Sequence, residues 1–188
     1  MPTVTFQGKP VELSGQEINL GDRAPQVRLV AQDLSEIEIA SGKHVQIIVA
    51  VPSLDTPVCA TEARKFNERA ASLPNTEVIV VSMDLPFAMG RFCTTEGIKN
   101  LRVASDFRDK EFCRRYGTLI ASGALAGLSA RAIFVIDTAG VVVYKELVSD
   151  IASEPDYDAA LDFAELVAEP APAAGGRPYG GTCPFLCP

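Results

Sequence analysis

No stretch of the chain approaches the roughly 18 uninterrupted apolar residues of a membrane-spanning helix, so no such helix is expected. Basic residues are in deficit. Lys and Arg number 17 against 24 Asp and Glu, for a net charge of −7 and a pI near 4.8. That balance argues against nonspecific attraction to nucleic acid or to acidic membranes. The first ten residues, Met1 to Pro10, lack a basic region followed by an apolar one. No signal peptide is expected, and the cytosol is the expected compartment. There is a single histidine, His44, just before an apolar run, and it reads as a polar strand-start residue rather than a catalyst or ligand. No pair of cysteines has CxxC spacing, which counts against a general thiol–disulfide oxidoreductase. No internal repeat is visible.

What is present fits one globular domain with a real core: 188 residues, 47% hydrophobic and 22% charged. Thr3–Phe6 and Val11–Leu13 flank Gln7-Gly8-Lys9-Pro10 and predict an N-terminal hairpin. Gln26–Ala31 and Glu36–Ile39 predict a second. The pattern then alternates. A strand over 45–51 leads to a helix over 57–73, and Thr76–Met83 reads as another buried strand. A helix is expected over 87–94, a short strand over 101–104, and a helix over 110–116 ended by Gly117. Ala130–Asp137 and Val141–Val148 form a hairpin about Thr138-Ala139-Gly140, and a last helix runs from about Asp156 to Ala168. Strands alternating with helices, closed by an antiparallel hairpin, predict an α/β domain with a mixed central sheet flanked by helices. This is the layout of a thioredoxin-like fold with an N-terminal β-hairpin extension, over 1–169. Residues 170–188 differ in character. A Pro/Gly/Ala linker leads to Thr182-Cys183-Pro184-Phe185-Leu186-Cys187-Pro188.

The chemistry concentrates at Pro52-Ser53-Leu54-Asp55-Thr56-Pro57-Val58-Cys59, between the strand over 45–51 and the helix over 57–73. Proline is favoured at the first helical position, which makes Pro57 that residue, Thr56 the N-cap and Cys59 the third helical residue. Unpaired amide N–H groups and the positive end of the helix dipole then face the sulfur, a setting that suits a thiolate, the nucleophilic form. The Thr56 hydroxyl could cap an amide or turn toward the sulfur. Arg131 opens the apolar run Ala132–Ile136, and an arginine there needs a partner if it is buried.

The octapeptide resembles the active-site signature of the bacterial thiol peroxidases, a branch of the atypical two-cysteine peroxiredoxins. Three further blocks carry the resemblance in order and spacing: Ser82–Cys93, Gly127–Ala132 and Glu154–Tyr157. It covers about residues 3–168. The resemblance implies that Cys59 is the peroxidatic cysteine, attacking a peroxide oxygen to give a sulfenic acid. Thr56 would hydrogen-bond thiolate and peroxide, Arg131 would stabilise the developing charge, and Pro52 would shield the sulfenic acid. Cys93 would be the resolving cysteine, closing an intramolecular Cys59–Cys93 disulfide. Both cysteines fall on expected helices, so local unwinding over 88–96 is expected, eased by Gly90 and Gly97. The resemblance further implies recycling by thioredoxin, hydrogen peroxide or organic hydroperoxides as substrate, no cofactor or metal, and a homodimer formed through the active-site face.

Three cysteines stand apart from this scheme. Cys113 reads as a buried structural thiol. Cys183 and Cys187 suit a disulfide within the tail, an electron relay, a cross-link to another subunit, or a dispensable extension, and two thiols alone make a poor zinc site. A peroxide sensor that hands oxidation to a partner protein would use the same Cys59 chemistry with slow turnover.

Overall fold

The computed structural model describes residues 3–168. The expected boundary at 169/170, and the segment beyond it with Cys183 and Cys187, lie outside the described residues. In chain order the elements are β1 (Thr3–Phe6), β2 (Lys9–Ser14), β3 (Val27–Ala31), β4 (Glu36–Ile39), β5 (Val45–Ala50), α1 (Pro57–Ala70), β6 (Thr76–Ser82), α2 (Pro86–Glu96), β7 (Arg102–Ser105), α3 (Glu111–Arg115), β8 (Leu119–Ile120), β9 (Ala132–Ile136), β10 (Val142–Leu147) and α4 (Tyr157–Ala168).

The main sheet has seven strands in the order β10-β9-β5-β6-β7-β3-β4. β5 runs parallel to β6 and β6 parallel to β7, while the other pairings are antiparallel. The sheet is therefore mixed. Every residue of β5 is buried, as a central strand covered on both faces requires. Its alternation sorts the core. Val45, Ile47 and Val49 pack with residues of α1, α2 and α4, whereas Ile48 and Ala50 pack on the other side with Phe112, Cys113 and Tyr116. Helices on both faces and this strand layout make the fold thioredoxin-like.

The N-terminal hairpin forms as expected, β1 pairing antiparallel with β2. It gains a third strand, β8, that two residues are too few to signal by alternation. This small sheet carries its own apolar cluster, including Val4, Leu13, Ile120 and Ile151. It binds the segment after β10: Thr5 N–H donates to Ser149 O at 2.7 Å, and Ile151 N–H donates to Thr5 O at 2.9 Å. α2 is longer than the 87–94 expectation. Pro86 begins it, where no N–H is needed, and Gly97 at φ +67° ends it in the left-handed conformation.

Candidate active site

The register of β5 against β9 builds the site. Ala50, at the end of β5, pairs with Ala132, at the start of β9. Arg131 therefore lies beside the exit of β5, where the chain turns through Pro52 into α1. Alternation directs it. Ile133 and Val135 belong to the same cluster as Cys59, Ala63 and Phe66, and Arg131 is on their side of the strand. Arg131 is 2% exposed, and its guanidinium reaches Cys59.

Cys59 is the third residue of α1, preceded by Pro57 and the N-cap Thr56. It is 0% exposed. Arg131 Nη2 donates to Cys59 Sγ at 3.3 Å, Nη1 donates to Glu62 Oε2, and Nε donates to Ile151 O at 3.0 Å. Three acceptors, two on α1 and one after β10, thus fix one planar fork, a geometry that lysine cannot reproduce. Ile151 in turn is tied to β1 by its own N–H, so the N-terminal sheet helps to hold the guanidinium in place. Arg131 and the amide end of α1 both place positive charge beside the Cys59 sulfur.

The Thr56 hydroxyl takes neither of the two orientations expected for it. It caps no amide of α1, and it donates to Ser53 O at 3.0 Å, while Thr56 N–H donates to the same carbonyl at 3.3 Å. The reason is local: the tight turn Ser53–Thr56 brings that carbonyl within reach, and a Ser or Thr hydroxyl readily bonds a neighbouring backbone group. The oxygen's lone pairs remain as acceptors. Pro52 is buried at the exit of β5.

Glu62 is a site residue that the sequence analysis does not single out. It is fully buried, three positions after Cys59, on the helix face formed by Cys59, Glu62, Ala63 and Phe66. That spacing is the available signal, because a carboxylate on the apolar stripe of a helix needs a cation. Burial pushes the Glu62 carboxyl up to about 7, with Arg131 opposing the rise. Its Oε1 has no hydrogen-bond partner, and the nearby Tyr157 hydroxyl has none either. Two acids, the Cys59 thiol and the Glu62 carboxyl, therefore share one buried cation.

Cys93 lies on α2, 8% exposed, in the same apolar cluster as Cys59, Leu54 and Met89. Met89 and Cys93 form the buried face of α2, and Phe87 points outward at 71% exposure. Burial pushes the Cys93 thiol up. Cys59, Cys93 and Cys113 are all free and buried. Cys113 sits on the opposite face of the sheet with Phe112 and Tyr116, and burial first, then the Asp106 carboxylate, pushes its thiol up to about 12. That environment is one of an inert core thiol. The His44 ring shares a 2.8 Å hydrogen bond with Asn75 Oδ1 at the other end of β5.

A cleft of about 280 Å³ opens beside the Cys59 loop, between Ser53, Leu54 and Asp55 on one side and Ala88, Arg91 and Phe92 on the other. A larger cleft, about 810 Å³, is lined by Ala40 and Ser41 before β5 and by Thr138 and Gly140 after β9, at the end of the sheet away from Cys59. It contains none of the cysteines. Among the described residues no cluster of three His, Cys, Asp or Glu side chains could hold a metal ion, and no helix is long and apolar enough to cross a membrane.

A thioredoxin-like sheet that sets a buried cysteine at a helix N-terminus against a buried arginine defines a thiol-based oxidoreductase. Comparison with known proteins narrows this. Residues 19–161 match the Redoxin family. The thiol peroxidase of Campylobacter jejuni is 62% identical over 156 residues, covering 83% of this chain and 89% of that protein. The thiol peroxidase of Leptospira interrogans is 52% identical over 168 residues, covering 87% and 98%. A crystal structure of a peroxiredoxin-like protein from Aquifex aeolicus superposes with a TM-score of 0.85 at 49% identity, covering 88% and 96%. The chain belongs to the Redoxin family and, within it, to the thiol peroxidases, a class of oxidoreductase enzymes.

Proposed function

We propose that the protein reduces hydrogen peroxide and organic hydroperoxides through a two-cysteine cycle. The Cys59 thiolate attacks the nearer peroxide oxygen. An S–O bond forms, the O–O bond breaks, and the departing oxygen takes a proton and leaves as water or an alcohol. Cys59 is then a sulfenic acid. The Cys93 thiol attacks its sulfur, forming the Cys59–Cys93 disulfide and releasing water. A dithiol, with thioredoxin the expected donor, reduces the disulfide and restores both thiols. No bound cofactor or metal enters the cycle.

The observation that carries this reading is the 3.3 Å hydrogen bond from Arg131 Nη2 to the buried Cys59 Sγ at the start of α1. The arginine offers a fixed positive charge to the attacking sulfur and to the oxygen that gains charge as the O–O bond breaks. Thr56 has acceptor capacity left beside it for the peroxide proton, and the buried Pro52 screens the sulfur from bulk water. The burial of both cysteines supports a movement of α2 around 88–96 before the disulfide closes, with Gly90 inside the helix and Gly97 at its end as the weak points. Leu85 and Phe87, 53% and 71% exposed at the start of α2, give this face the apolar surface for a homodimer. Three free cysteines among the described residues suit a reducing compartment such as the cytosol.

The roles of the two cysteines separate in Cys93→Ser. Its first oxidation by one equivalent of peroxide is expected at the wild-type rate, followed by a Cys59 sulfenic acid that dimedone traps. Steady-state turnover with thioredoxin, its reductase and NADPH should fall to a few per cent or less. A Cys93→Ser protein that turns over at the wild-type rate removes Cys93 from the cycle.

A further inference from the structure

Asp84, between the loop that presents Cys59 and the helix that carries Cys93, is a carboxylate that the two-cysteine cycle does not use. It follows β6 and precedes Leu85, the N-cap of α2. Asp84 Oδ1 accepts from Ser53 Oγ at 2.7 Å, and Oδ2 accepts from Leu54 N–H and from Ser82 Oγ, both at 2.7 Å. Its own N–H donates to Ser82 Oγ at 3.1 Å, and its carbonyl accepts from Ser105 Oγ. The partners divide into two sets. Ser82 and Ser105 are buried at the ends of β6 and β7 and belong to the rigid sheet. Ser53 and Leu54 belong to the turn before Cys59, and Ser53 O holds Thr56 at the N-cap of α1. Asp84 forms no ion pair among the described residues, so its charge is met by these short neutral donors, which are the strong kind of hydrogen bond.

The consequence is mechanical. Asp84 is the fixed end of a clamp on the Cys59 turn, and it is also the last residue before the N-cap of α2. Cys59 and Cys93 are both buried and free in this arrangement, and the cycle proposed above has α2 move around 88–96, out of it, before the disulfide closes. A clamp that spans both segments favours the arrangement in which Cys59 meets Arg131 and opposes the one in which Cys59 meets Cys93.

We propose that Asp84 is a positioning residue, a latch that holds the Cys59 turn against the start of α2 for attack on peroxide and must let go for disulfide closure. The proposal rests on the two-cysteine cycle above. It predicts that weakening the latch changes the two chemical steps in opposite directions. A contribution to folding alone lowers both or neither.

The test is rapid quench of full-length reduced protein mixed with hydrogen peroxide, with alkylation and mass spectrometry reading Cys59 sulfenic acid and Cys59–Cys93 disulfide over time. The chain has no tryptophan, so its own indole fluorescence cannot report these phases. In Asp84→Asn the side chain keeps its shape and loses its charge and one acceptor oxygen. The oxidation constant should fall about tenfold, the effect of one charge-assisted hydrogen bond, while the disulfide-forming constant rises several-fold. Ser53→Ala removes one of the two loop bonds to Asp84, together with the acceptor of Asp55 N–H, and should move both constants the same ways by less. It keeps the test open if Asp84→Asn does not fold. Any other pairing of changes in a folded variant, including both constants falling together or neither moving, overturns the latch. Wild-type protein run in parallel separates the two readings. If Cys59 is never oxidised there, the peroxidase cycle fails and the latch with it. If wild type shows both phases, the fate of the variants bears on the latch alone.

Discussion

Cys59→Ser is expected to abolish peroxide consumption while leaving the fold intact. Serine is smaller by little, is accommodated at the third position of a helix, and can accept the hydrogen bond that Arg131 Nη2 now gives to sulfur. Its neighbours Leu54, Ala63 and Phe66 lose little contact. The chemistry does not survive the exchange. A serine hydroxyl is a far weaker nucleophile than a thiolate near neutral pH, and the cycle needs a sulfur that can pass through an S–O bond to a disulfide. Loss to the uncatalysed background is the expected result when peroxide is followed with excess dithiothreitol as reductant. A folded Cys59→Ser protein with undiminished turnover would remove Cys59 from the mechanism.

The second large effect is at Arg131. Replacing it with Met deletes all three bonds of the fork at once, to Cys59, Glu62 and Ile151. Oxidation of Cys59 should slow by about 10²–10³-fold, the usual loss when a preorganised donor to the reacting centre is removed. Stability should fall too, by about 3–5 kcal/mol, because a buried carboxylate is left without its cation. Glu62 is that carboxylate, fully buried and with one oxygen already unpartnered. The two losses can be separated. Adding Glu62→Gln removes the stranded charge, so the double variant should regain most of the urea stability and none of the oxidation rate. An Arg131→Met protein oxidised at the wild-type rate would show that the guanidinium is there for the fold alone.

Much of this site is legible in the amino-acid sequence, for a physical reason. Cys59 owes its position to local chemistry: a buried strand, a proline that begins a helix, and a sulfur two positions further on. Those signals lie within fifteen positions, 45 to 59, and survive translation into three dimensions. Arg131 is legible as an arginine entering an apolar strand, an arrangement that demands a partner. The residues that escape are those defined by distant contacts. Glu62 looks like an ordinary solvent-facing carboxylate until the periodicity of α1 puts it on the Cys59 face. Asp84 stands in a recognisable block, yet its partners Ser53 and Leu54 are about 30 positions away, and no local pattern announces a bond across that interval. The Thr56 hydroxyl is legible in identity but not in direction, since a donor within reach of several acceptors is decided by the turn it sits in. β8 escapes because two residues carry no period.

The central claim is that Cys59 and Cys93 act as a pair within one chain. The most direct test is peptide mapping of the reduced protein after one equivalent of hydrogen peroxide, quenched by alkylation and digested without reduction. A dominant Cys59–Cys93 linkage is the predicted result. A dominant link from Cys59 to Cys183 or Cys187, or a Cys59 left as sulfenic acid with Cys93 still alkylated, would contradict it, and the assignment of Cys93 as the resolving cysteine would fall.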